Sequence, residues 1–196
     1  MSDKADWELV ALARSGDMEA FAEIVRRYQR PLVHFCMRMI GSLQDGEDLA
    51  QESFVRLYRN LARLEPRAQF STFLFGIARN LTLNALRDRG RRGRGKTLTM
   101  SQITDREDAM LEFADPDELH APDRAARIAE MRDAIEDALA LLAPEHREVL
   151  LLREIEGLDY DAIARITRVR KGTVKSRLSR AREQLRGHLT ALEGKL

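Results

Sequence analysis

The chain has 196 residues, enough for one ordinary domain or two small ones, and 44% of them are hydrophobic, enough to build cores. Its 33 basic and 32 acidic side chains leave a net charge of +1, so only the distribution of charge, not its sum, can speak for an anionic partner. The single cysteine, Cys36, excludes an intrachain disulfide or a cysteine-rich metal site and fits a reducing cytoplasm; with no run of about 18 apolar residues, no membrane insertion is expected.

Residues 1–6 lack the apolar stretch of a secretory leader, which also points to the cytoplasm. A first helix is expected over 7–14, ended by Ser15 and Gly16. Asp17 then caps a long helix over 18–40, where Phe21, Ile24, Val25, Tyr28, Leu32 and Phe35 recur at helical spacing. Pro31 should kink that helix or split it in two. Gly41 and Ser42 end it, and Asp45 is read as the cap of a third helix reaching about Leu61. After a loop over 63–69, a fourth helix is expected over 71–89. Its apolar stripe contains Phe70, Phe73, Leu74, Ile77, Ala78, Leu81 and Ala85, so Phe73 and Leu74 are assigned to the core.

Periodicity fails from Gly90 to about Pro122. Gly90, Gly93 and Gly95 lie among arginines, and an acidic run with Asp105, Glu107, Asp108, Glu112, Asp115 and Asp117 follows. This stretch is read as a flexible linker that stays extended. Helices resume over 124–143, and Pro144 opens the next at a favoured first-turn position, running to near Gly157.

The most informative stretch follows. Asp159 is a plausible N-cap for a short helix, Ala164 is small where two helices should cross, and Ile163, Val169, Val174 and Leu178 are spaced to close a core beneath them. The second helix carries Lys175, Ser176, Arg177, Ser179, Arg180 and Arg182 on its other face. This is a helix-turn-helix with a basic second helix, the layout that places a helix in a DNA major groove. Two cation-rich segments, 79–96 and 165–186, flank the acidic run and indicate two anionic contact sites. The fold class is therefore all-α, with two small helical domains over 1–90 and 124–196 joined by the linker over 91–123.

Two motifs carry a family resemblance. Residues 45–58, beginning Asp45-Gly46-Glu47-Asp48-Leu49-Ala50-Gln51-Glu52, resemble the D-x-E-D-L-x-Q-E-x-F-x-x-x-Y signature of bacterial sigma factors. Residues 142–153 and the stretch Gly172-Thr173-Val174-Lys175-Ser176-Arg177-Leu178 resemble the opening and the recognition helix of the last domain of that family. The two-domain form, with nothing substantial between, resembles the extracytoplasmic-function (ECF) group of the sigma-70 family, with a sigma-2 type four-helix domain and a sigma-4 type helix-turn-helix domain.

The resemblance implies a function and partners: promoter-specific transcription initiation, core RNA polymerase, promoter DNA and an anti-sigma factor. It implies that Asp48, Leu49, Gln51, Glu52 and Phe54 contact a coiled coil of the polymerase, although acidic residues there also suit a helix N-terminus. Phe70, Ser71, Thr72, Arg79, Asn80, Asn84 and Arg87 would recognise and melt the −10 element, which needs a surface for an unpaired base and cations for phosphates. Arg170, Lys171, Thr173, Lys175, Ser176, Arg177, Ser179, Arg180 and Arg182 would read the −35 element. The chain departs from the family at Phe73, where tryptophan is usual, at Gly76, at Arg168, which stands at a turn glycine, and at Arg170, which replaces a capping residue.

No catalytic constellation is present: the four histidines are scattered and no phosphate-binding glycine loop exists, so neither an enzyme nor a cofactor or metal is expected. Two other readings remain open at this point. One is a stand-alone repressor or activator that binds duplex DNA without polymerase. The other is a polymerase-binding regulator that does not melt promoters.

Overall fold

The computed structural model describes residues 5–66, 68–91 and 122–193, and all regular structure among them is helical. The first unit comprises α1 (Asp6–Arg14), α2 (Met18–Ile40), α3 (Leu43–Asn60), a 3-10 turn at Leu61–Arg63 and α4 (Phe70–Arg91). The second comprises α5 (Pro122–Ala140), α6 (Pro144–Leu150), α7 (Tyr160–Thr167) and α8 (Lys171–Glu193). The linker expected over 91–123 lies outside the described residues except at its ends, where Arg91 closes α4 and Pro122 opens α5.

Local chemistry accounts for most boundaries. The Asp17 carboxylate accepts from the backbone N–H groups of Glu19 and Ala20 at 3.0 and 3.1 Å, satisfying two of the orphan donors at the start of α2. Gly41 ends α2 in the left-handed conformation, at φ 74°. One expectation is narrowed and another corrected. Pro31 does not split α2, which runs uninterrupted over 23 residues. The lost backbone hydrogen bond there is offset by burial of the face containing Leu32, Phe35, Cys36 and Met39. The cap of α3 is Ser42, whose hydroxyl accepts from the Asp45 N–H at 3.3 Å. Asp45 itself lies in the first turn and pairs with Arg89, which also donates to the Ile40 carbonyl at 2.8 Å and so ties the end of α4 to the α2–α3 corner.

The core of the first unit is aromatic. Phe35 and Phe75 meet edge to face with centroids 5.5 Å apart, and Phe70 packs edge to face against both Trp7 and Tyr28. Helices α2 and α3 approach closely at Gly46, where an added Cβ would sit 2.8 Å from the Met37 backbone. Glycine is required at this point by the packing.

The core of the second unit is aliphatic, built from Leu142, Val149, Leu152, Ile163, Val174 and Leu178. The helix that starts at Pro144 does not continue regularly to Gly157 as expected. It widens into a π turn at Leu151–Ile155, where both Leu151 and Leu152 are buried. Asp159 caps α7, accepting from the Ala162 N–H at 2.7 Å, as its place before the helix leads one to expect. Between α7 and α8, Arg168 takes φ 58° and ψ 38°. It is the sole non-glycine residue with positive φ among those described. An L-residue pays about 1–2 kcal/mol there.

The two units pack on each other, α4 against α7 and α2 against α5 and α6. Charged side chains bridge the seam. Arg38 of α2 donates to Glu136 of α5 at 2.7 Å, and Arg79 of α4 grips Glu148 of α6 with two hydrogen bonds, at 2.7 and 3.2 Å. The buried Arg147 guanidinium donates to the Met39 carbonyl at 3.0 Å, and within its own unit to the carbonyls of Ala140 and Leu142 at 2.5 and 3.1 Å. It thereby satisfies helix C-terminal carbonyls of both units.

Candidate polymerase and nucleic-acid interfaces

Three surfaces gather some of the residues singled out in the sequence. The first is a groove of about 620 Å³ between α2 and α3, with Met18, Phe21, Val25, Phe54 and Tyr58 along it and Gln51 at its edge. Met18 and Tyr58 are 57% and 48% exposed, large values for apolar side chains. Tyr58 packs edge to face on Phe21 at 5.1 Å, so the exposed ring is held in place. Of the five residues expected to contact polymerase, Gln51 and Phe54 line this groove; Phe54 is buried in its floor. Asp48 is exposed outside the groove lining, Leu49 is half-buried against the core, and Glu52 accepts from Arg56 at 2.8 Å. Met18 and Phe21 escaped the sequence reading because they come from α2, distant in sequence. Tyr58, the last residue of the quoted motif, was the available signal.

The second surface surrounds a cavity of about 500 Å³ between the loop over 64–69, the start of α4, and the α7–α8 turn. Trp7 fixes that loop by donating from its indole N–H to the Ala68 carbonyl at 2.9 Å. Sequence reasoning assigned Trp7 no role. Among the expected −10 residues, Thr72 and Asn80 line the cavity, and the buried Thr72 hydroxyl has no hydrogen-bond partner among the described residues. Ser71 is half-buried. Asn84 and Arg87 are exposed and bonded to each other at 3.2 Å. Two aromatic expectations are reversed. Phe70 is 1% exposed, enclosed by Trp7 and Tyr28, and offers no ring face in this arrangement. Phe73, assigned to the core, is 36% exposed and lines the cavity. Both lie at helical spacing, but the core-facing stripe runs through Phe70, Leu74 and Phe75, which turns Phe73 outward.

The third surface is the outer face of α8. Lys175, Ser176, Ser179 and Arg180 are exposed at i, i+1, i+4 and i+5, on one side of the helix. Lys175 and Arg180 have no carboxylate within ion-pairing distance among the described residues. Three other cations of this helix are engaged, while Arg186, nearer the C-terminus, is exposed. Lys171 pairs with Asp161 at 2.7 Å, Arg182 with Glu154 at 2.5 Å, and Arg177 reaches Glu148 at 3.5 Å. Arg170 is exposed in the turn, and Thr173 is half-buried.

Burial shifts two titratable groups of the first unit. Burial pushes the Cys36 thiol up to about 12, and burial, aided by Arg38 and Arg30, pushes His34 down to about 4. Among the described residues, no group of histidine, cysteine and carboxylate side chains could hold a metal ion, and no helix is long and apolar enough to cross a membrane.

Comparison with known proteins identifies both helical units. Residues 24–92 match the family model for sigma-70 region 2 and residues 132–185 that for sigma-70 region 4, together more than half of the chain. The chain is 34% identical to the RNA polymerase sigma-H factor of Pseudomonas aeruginosa, covering 94% of each protein. It is 32% identical to the ECF RNA polymerase sigma factor SigW of Bacillus subtilis, covering 91% of this chain and 94% of that one. In fold it resembles CnrH, solved in complex with the cytosolic domain of CnrY, with a TM-score of 0.67 at 24% identity over 96% of this chain and 99% of that one. The aromatic four-helix unit and the capped helix-turn-helix are thus sigma-70 regions 2 and 4, and the chain belongs to the ECF group of RNA polymerase sigma factors, transcription regulators that direct promoter-specific initiation.

Proposed function

We propose that the three surfaces divide the work of initiation. The α2–α3 groove takes an apolar helical surface of core polymerase, with Tyr58, Phe21 and Met18 as anchors and Gln51 at the rim. Exposed aromatic anchors set in a partly enclosed groove are the usual carriers of binding energy. The cavity beside Phe73, Thr72 and Asn80 receives an unpaired base of the −10 element, with Asn84 and Arg87 extending the contact along α4. The outer face of α8 reads the −35 element, with Lys175 and Arg180 on phosphates and Ser176 and Ser179 within reach of base edges. The chain acts in the cytoplasm, has no catalytic role of its own and is restrained by an anti-sigma factor.

The observation that supports this reading best is the α8 face. On a helix whose other cations are mostly paired internally, Lys175 and Arg180 stand exposed five residues apart with no carboxylate among the described residues to neutralise them. In vitro transcription with purified core polymerase on a fragmented genome tests it. Ser176→Ala and Ser179→Ala together should abolish selection of promoters by their −35 sequence, and Lys175→Ala with Arg180→Ala should weaken all promoters alike, while core binding persists in both cases. Unaltered promoter choice would refute the assignment.

A further inference from the structure

Helix α1 reaches the cavity beside Phe73 through one residue, Trp7. This helix lies outside residues 24–92, the stretch that matches the region 2 model. Its first turn is nevertheless tied to that stretch at two successive residues. The Asp6 carboxylate accepts from the Tyr28 hydroxyl at 2.6 Å and from Arg27 at 3.0 Å. The Trp7 ring meets Phe70 edge to face with centroids 5.8 Å apart, and Tyr28 meets the same phenyl ring at 5.3 Å. From this seat the indole N–H donates to the Ala68 carbonyl at 2.9 Å, across 61 residues of chain.

Ala68 leads directly into the polar wall of the cavity. The carbonyl of the next residue, Gln69, accepts from the Thr72 N–H at 3.1 Å in the first turn of α4. Thr72 is 7% exposed and lines the cavity, and its hydroxyl has no partner among the described residues. A buried hydroxyl without a partner is costly, and a ligand that bonds it removes the cost. One turn further on, a Cβ added at Gly76 would meet nothing within 4 Å, so the wall is open there. The clearance of the cavity therefore depends on where Ala68 and Gln69 sit.

We infer that Trp7 is a positioning residue for base selection. Its hydrogen bond to Ala68 fixes the clearance of the cavity and the approach of a base to Thr72, which makes α1 a contributor to −10 specificity. This rests on the proposed assignment of the cavity to an unpaired base. With the bond made, a base whose edge does not reach the Thr72 hydroxyl leaves it unsatisfied and is rejected. Without the bond, Ala68 and Gln69 shift to suit several bases, and the penalty for a wrong one falls.

Trp7 is the sole tryptophan of the chain, so an analogue supplied in place of tryptophan alters this position alone. The full chain carrying benzothienylalanine, in which sulfur replaces the indole N–H at nearly the same shape, is assembled with separately purified core polymerase. The holoenzyme is then offered promoters that it selects, with the −10 element randomised. Discrimination among bases should fall at one position of the element by roughly two- to tenfold, the range that loss of one hydrogen bond allows. Affinity for core and preference at the −35 element should not change. Trp7→Phe, which keeps a ring against Phe70, should act in the same way, and fluorotryptophan, which keeps the N–H, should behave as the parent. Parental discrimination in both chains that lack the N–H overturns the role of Trp7. So does an equal loss at every −10 position, or a loss of core affinity, since either would make Trp7 a structural residue only. Thr72→Val and Phe73→Ala test the cavity itself. If both keep parental discrimination, the cavity does not hold a base and the role of Trp7 falls with it. If either relaxes discrimination while the Trp7 chains do not, the cavity stands and Trp7 alone is reassigned.

Discussion

The α2–α3 groove and the two faces proposed for DNA differ in their chemistry. The groove is apolar, held by fixed aromatic contacts and unobstructed. The DNA faces are polar, and several of their cations are already paired with carboxylates of the same chain. A surface built on apolar contact can remain open without ionic attraction for the wrong partner. A cationic surface attracts any polyanion, so pairing it internally delays its use until a competing anion is held nearby.

The sharpest way to break the comparison is at the groove. Tyr58→Ala should weaken binding to core polymerase by about 2–4 kcal/mol, and raising salt should change that loss little, as expected of an apolar anchor. Calorimetry or fluorescence titration at two salt concentrations would show it; a salt-dependent loss would mean that the groove works by charge. Next comes the close contact between α2 and α3. Gly46→Ala drives a Cβ to 2.8 Å from the Met37 backbone and should cost about 1–3 kcal/mol in denaturant unfolding. Gly187→Ala in α8, with nothing within 4 Å of the added Cβ, should instead gain up to about 1 kcal/mol.

The charged surfaces give smaller effects. Lys175→Ala should lower the salt slope of holoenzyme–promoter binding by about one while weakening all promoters alike; a sequence-selective loss would move Lys175 from phosphate to base contact. At the seam, burial pushes the Glu156 carboxyl up to about 7 from its ordinary 4.5, partly opposed by Arg38. The folded chain therefore holds a proton that the unfolded chain has released, and stability falls as pH rises from about 4.5 to about 7. Glu156→Gln should remove that fall, gaining about 1–2 kcal/mol relative to the parent at pH 8 and nothing at pH 4. His34, pushed down to about 4, acts in the opposite direction, since its neutral folded form is disfavoured as pH drops below 6.5. The comparison must therefore be made at each pH between variant and parent. The smallest effect is at the turn: Arg168→Gly should raise the thermal midpoint through relief of about 1 kcal/mol of backbone strain.

Much of this protein was legible in its residues. Apolar spacing at 3.6 residues per turn located the helices, because the side chains that must be buried repeat with the backbone. Asp17 and Asp159 marked helix starts, because a short carboxylate reaches the orphan N–H groups within its own turn. The paired motifs over 45–58 and 142–178 identified the two regions, as short stretches whose meaning is carried by order and spacing. Tertiary structure decided what depends on residues far apart in the chain. Phe70 and Phe73 both fit the apolar stripe, and only the placement of Trp7 and Tyr28 buried the first and left the second beside the cavity. Pro31 stayed within one helix because the face it interrupts is held by the surrounding core. Arg79 and Arg177 read as two independent DNA contacts, one in each unit. Their meeting at Glu148 joins side chains 69 and 29 residues from it, and such a contact follows from how the packed units present their surfaces and not from any local pattern.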